Sequence, residues 1–218
     1  MASKKNIEPS DIINYYMDYV LENYQQPKSV FVFSKMNNFD ESKFYEYFAS
    51  FEMVEKTVFK VFFENTIKTL NASKDYENYD QRNKLLSFYF TFFETLTANR
   101  SFVLYTLNKH KNSLKNLATL SLLKADFISY IEHLKIEVLD IKDTRLIKIQ
   151  DKAIKESAWI QLLLTIKFWI DDSSAKFEKT DIFIEKAVNT SFDILNIAPL
   201  KSVLDFGKFL YKEKVHMN

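Results

Sequence analysis

Three imidazoles, His110, His133 and His216, are the side chains of this 218-residue chain best suited to proton transfer or metal ligation. They lie far apart, and none has a second imidazole at helical ligand spacing. Glu132 beside His133 points to a different helix face, so the two do not make a zinc pair. The carboxylate pairs Asp40-Glu41 and Asp171-Asp172 fall at helix starts or loops, where capping and solvation are their ordinary roles. The absence of cysteine removes disulfides, thiolate nucleophiles and sulfur-ligated metals together, and is compatible with a reducing compartment. With a single glycine, Gly207, neither a nucleophile elbow nor a phosphate-cradling loop can be built. No residue set argues for an enzyme, a metal or a cofactor, and the remaining chemistry is recognition.

The elements that position recognition residues are helices. One glycine and three prolines almost exclude hairpins, and 47% hydrophobic with 16% aromatic residues describes an ordered, nearly all-helical chain. The segment Lys28 to Phe51 is the most informative. Val30, Phe33 and Ser34 share one face of a first short helix, and Asn37 and Asn38 supply a turn, since asparagine tolerates left-handed backbone. Asp40 is the expected N-cap of a second helix carrying Phe44, Tyr45 and Phe48. Two helices joined in this way make a helix-turn-helix. Before them, a helix is expected from Ser10 to Tyr24, and after them a longer one from Ser50 bearing Val54, Val58, Val61, Phe62 and Ile67.

From Ile12 to Phe63 the order and spacing of these residues resemble the N-terminal DNA-binding domain of the TetR family of bacterial transcriptional regulators. Ser29 and Val30 match the Ser-Val that opens the family's second helix. Phe33 and Ser34 stand for its Ile-Ala, Asn37-Asn38-Phe39 for its Ala-Gly-Val turn, and Tyr45 and Phe48 for its Tyr-x-x-Phe. The resemblance implies a three-helix head over residues 1–49 and a helical ligand-binding and dimerisation body over residues 50–218. It also implies Lys28, Ser29, Lys35, Ser42, Lys43 and Tyr45 as DNA contacts. The departures are chemical: the recognition helix opens Asp40, Glu41, Ser42, and Phe51 occupies the family's lysine position. Between Ser10 and Lys60, five lysines against eight acids give a net charge of minus three, the wrong sign for a duplex binder.

In the body, Asn83 to Leu107 reads as one strongly apolar helix that others should surround. Its Phe88, Tyr89, Phe92 and Phe93, with Phe127 and Trp159, either line a pocket for an apolar ligand or are core. From Thr95 to Ala125 there are five basic residues and no acid, a stretch that faces an anionic partner or is a solvated face balanced by the acids that follow. Further helices are expected over Ser121 to Val138, over Ile149 to Ile170, from a Thr180 cap, and after Pro199. The last of the long pairs, around Phe168-Trp169-Ile170-Asp171-Asp172-Ser173, resembles the helix pair that forms the TetR four-helix dimer interface. Two amphipathic helices joined by a polar loop either close one subunit's own core or pair with a second copy; apolar residues on more than one face favour a homodimer, with Trp159, Leu163, Ile166, Ile184, Val188, Ser191 and Leu195 as its contacts.

The chain opens without an apolar signal core and has no stretch long enough for a membrane span, so the expectation is a cytoplasmic protein. Two functions follow. One is a homodimeric TetR-like regulator that binds duplex DNA and a small apolar ligand. The other is a TetR-fold protein that has lost DNA binding and serves as a lipid- or isoprenoid-binding or protein-docking accessory factor, as some ubiquinone-biosynthesis proteins of similar fold do.

Overall fold

The computed structural model describes residues 6–111, 113–136 and 144–196, and among these every regular element is helical. The expected helix after Pro199, the lysines Lys4 and Lys5, Gly207 and His216 lie outside the described residues. The helices are α1 (Pro9–Asn23), α2 (Val30–Met36), α3 (Glu41–Tyr47), α4 (Phe51–Asn71), α5 (Gln81–Ala98), α6 (Arg100–Leu107), α7 (Ser113–Ala118), α8 (Ser121–Leu134), α9 (Thr144–Asp171) and α10 (Glu178–Asn196). They group into two compact units, residues 1–72 with 91–127 and residues 73–90 with 128–218. The head boundary expected at residue 49 falls inside the first unit.

In the first unit, α1 starts earlier than expected, with Glu8 and not Ser10 at its N-cap. Pro9, which has no N–H to leave unsatisfied, begins the helix, and the Asp11 carboxylate accepts the Glu8 N–H at 2.9 Å. Ser10 is therefore inside the first turn. Tyr24 closes α1 in the left-handed region (φ 52°), its N–H bonding to the Val20 carbonyl. α4 begins where expected, with Ser50 as its N-cap accepting from the Met53 N–H at 3.4 Å.

A cluster of aromatic rings holds α1 to α4 together. Phe51 stacks on Tyr16 (5.2 Å, 16°) and meets Phe33 and Phe44 edge-on at 5.4 and 5.2 Å. All four rings are buried. Because Phe51 belongs to the core shared by α1, α2 and α3, contacts run without a break from the head into α4.

The apolar stretch from Asn83 to Leu107 is two helices, not one. Asn99 interrupts it, its side-chain amide bonding back to the Thr95 carbonyl at 2.9 Å. Asparagine competes for backbone groups in this way, and its own carbonyl then accepts the Val103 N–H to open α6.

In the second unit, Trp159, Leu162, Ile166 and Trp169 of α9 and Ile184 and Val188 of α10 are buried. Arg82 at the start of α5 reaches α10, bonding Asp193 at 2.7 Å and Asn189 at 3.3 Å while lying 5.5 Å over the Phe192 ring. Tyr130 donates its hydroxyl to the Lys84 carbonyl (3.1 Å) and receives that of Tyr76 (2.9 Å). The turn into α10 is built on Asp172, not on a Thr180 cap. Oδ1 accepts from the Ser174 N–H and hydroxyl, and Oδ2 from the Thr180 N–H and hydroxyl, at 2.7–2.9 Å. Thr180 is a donor inside α10, and Lys176 and Phe177 make the corner at φ 55° and 60°.

Candidate functional site

The helix-turn-helix has the geometry its residues suggest. Ser29, in extended backbone, caps α2 by accepting the Val32 N–H at 3.2 Å. Asn38 takes the left-handed conformation (φ 57°) and Phe39 drops into the core, which turns the chain into α3. Asp40 occupies the N-cap of α3. On the outer side, Lys28, Ser29, Lys35, Ser42 and Tyr45 are exposed, Tyr45 resting edge-on against Phe44 at 5.5 Å.

Lys43 differs from these. Its ammonium lies 2.8 Å from Glu46, one turn along α3, and that hydrogen bond and charge raise its pKa. A phosphate would have to compete with a carboxylate already in place. The outer face of α2 also carries Phe31, Val32 and Met36, exposed by 58, 37 and 62%. Phe31 and Val32 stand where the TetR pattern carries charged surface residues, opposite the face of Val30, Phe33 and Ser34, and Met36 extends the patch.

Beneath the head lies a buried polar knot. Glu55, 2% exposed on α4, accepts the Tyr16 hydroxyl at 2.6 Å and the Lys109 ammonium at 2.9 Å; Lys109 also reaches Gln26 at 3.0 Å. Burial, then the neighbouring Glu55 charge, drives the Tyr16 phenol pKa well up, and the same two causes push Tyr105 up to about 12. The knot ties α1, the turn after it, α4 and the turn after α6. Asn116 fixes that last turn by bonding the His110 N–H and carbonyl at 2.9 and 2.8 Å. Part of the basic stretch from Thr95 to Ala125 is thus turned inward to a carboxylate. Phe51, Glu55 and Phe59 share one stripe at i, i+4 and i+8, so an acid inside an apolar stripe was the available signal for a buried pair.

In the second unit, α9 and α10 leave an apolar groove of about 580 Å³. Its walls include Leu85, Ile154, Ala158, Ile160, Leu164, Phe183, Ala187, Ile194 and Leu195, with Gln161, Lys186, Thr190 and Ser191 as polar members. Ile160, Leu164 and Ile194 are 54, 57 and 47% exposed. Of the expected dimer contacts, Ser191 and Leu195 line the groove and Leu163 is half-buried, whereas Trp159, Ile166, Ile184 and Val188 are buried in the chain's own core. The open stripe is offset by one position, at Ile160 and Leu164. A helix apolar on several faces does not disclose which face its own subunit consumes.

The aromatics expected at a ligand, Phe88, Tyr89, Phe92, Phe93, Phe127 and Trp159, are all buried, with Phe92, Phe93 and Phe127 in the first unit and the other three in the second. Burial raises the Tyr89 phenol pKa, against the lowering effect of its bond to Thr165. The groove is lined by other residues.

The described residues thus form a helix-turn-helix followed by further helices. A family model described as tetracyclin repressor-like, C-terminal domain, matches residues 84–210, more than half of the chain. The protein belongs to this TetR family. No curated protein matches the chain. Among the described residues, no helix is long and apolar enough to cross a membrane.

Proposed function

We propose that this protein is a homodimeric transcriptional regulator that engages duplex DNA through α2 and α3, pairs through the open face of α9 and α10, and takes a small apolar ligand in its body. The observation that carries the DNA reading is the complete turn geometry of the head. A capped α2, a left-handed Asn38 and an α3 with exposed Ser42 and Tyr45 precede a TetR-like body. A two-fold dimer sets two such heads on half-sites about 34 Å apart, one turn of DNA. The aromatics expected for that ligand, Phe88, Tyr89, Phe92, Phe93, Phe127 and Trp159, are buried, so in this reading an apolar ligand enters the body by parting core rings.

A second reading has its own observation. The Lys43–Glu46 pair, the exposed Phe31 and Met36, and the net charge of minus three support a head that docks protein or has left DNA altogether, with the body kept for a lipid or isoprenoid. The deciding experiment is binding to random-sequence duplex across a salt titration. The regulator predicts an affinity falling with salt at a slope of about 0.9 per phosphate contacted, reduced further by Lys35→Ala and Lys28→Ala. No binding at low salt leaves the second reading standing.

A further inference from the structure

We infer that Gln161 fixes the register in which two copies of this chain pair; the inference rests on the pairing of the α9–α10 face proposed above. Ile160, Leu164 and Ile194 stand open on that face. Aliphatic side chains of this kind pack acceptably against one another in several registers, because hydrophobic attraction has no direction. A direction has to come from a polar group.

Gln161 supplies one. It lines the groove between Ile160 and Leu164, and its Oε1 accepts the Ser191 hydroxyl at 2.6 Å. Its Nε2 is shut off from solvent and has no acceptor among the described residues. Exchanging amide oxygen and nitrogen does not remove the deficit, since the Ser191 hydroxyl serves either atom and the other is left without a partner. Ser157, nearby on the same wall, turns its hydroxyl to the Ile154 carbonyl and demands nothing further.

Gln161 as a whole is half-buried and its terminal torsion is soft, so a modest turn brings the donor to the groove. A second copy satisfies it only in the register that places an oxygen opposite. A slip of one helical turn, about 5.4 Å, seals the amide away unpaired. Two-fold symmetry applies that penalty twice. Discrimination of roughly tenfold or more per amide follows, in the way a lone asparagine fixes the register of a coiled coil.

The absence of cysteine makes the test direct. Glu185→Cys, on the exposed side of α10, carries a single spin label per chain, and electron–electron double resonance reads the distance between labels in the dimer. The parent is expected to give one narrow distance. Gln161→Met, close in volume, and Gln161→Leu both lose the Ser191 bond alike and are expected to remain folded and dimeric, with a dissociation constant unchanged or about tenfold lower, and to give a broadened or double distance distribution. A single unchanged distance in both variants overturns the inference, as does a dimer weakened tenfold at one narrow distance, which would make the amide a source of affinity. A monomeric parent, or a parent dimer indifferent to Leu164→Lys, overturns the pairing reading itself and is distinguishable from either result.

Discussion

Glu55 and Asp172 are, among the described residues, two buried carboxylates held by several donors each. Glu55 is satisfied by a phenol and an ammonium, and Lys109 is the only cation bonded to it in the described contacts. Lys109→Met leaves that carboxylate buried beside the Tyr16 hydroxyl alone. Because the Lys109 side chain is itself 18% exposed, the expected loss lies near the low end for broken buried pairs, about 3 kcal/mol, read from the midpoint of urea unfolding.

Asp172 gives a pH signature. Burial works against its charged form, but four donors from Ser174 and Thr180 outweigh it and hold the pKa at about 2, against an ordinary 3.8. A depressed carboxyl contributes its stability above the unfolded value and loses it as pH falls through the folded one. Stability should therefore decline between about pH 4 and pH 2, and Asp172→Asn should lower the urea midpoint at pH 7 while flattening that acid limb. An unchanged limb in Asp172→Asn would assign the decline to other carboxylates.

At the scale of elements, the start of α4 shows what a family position does when its chemistry changes. The lysine of the TetR pattern would point to phosphate, whereas Phe51 is 4% exposed among Tyr16, Phe33 and Phe44. Phe51→Lys would not restore a DNA contact. It removes a ring from the head core and leaves an ammonium to be buried or extruded, so a loss of about 3 kcal/mol or more is expected by thermal or urea unfolding. The α9–α10 pair offers the complementary case. Ile160 and Leu164 are open, so Ile160→Lys with Leu164→Lys should leave the fold and its helical signal intact while shifting sedimentation from dimer to monomer. The inward Trp159→Lys should instead unfold the second unit.

Across the whole molecule, the charge balance and the fold point in different directions, and the salt titration decides between them. Phosphate attraction is summed over every basic group near the duplex. Five lysines against eight acids between Ser10 and Lys60, with Lys43 held by Glu46, leave Lys28 and Lys35 as the exposed cations of α2 and its approach. A shallow salt slope is therefore expected even if DNA is bound, corresponding to about two phosphates per head.

The residue order alone determined an all-helical chain, the helix-turn-helix with its asparagine corner, Asp40 at the N-cap of its second helix, and the TetR likeness. Those features rest on local backbone preference and short spacings, which are written residue by residue. Tertiary structure alone decided which apolar face each long body helix consumes: Ile160 and Leu164 open beside a buried Trp159, and the expected ligand aromatics packed away. It also decided the long-range polar choices, Lys109 turning 54 residues back to Glu55 and Asp172 reaching forward to Thr180. Periodicity records that a residue prefers to be buried, but the partner that buries it is set only when distant segments meet.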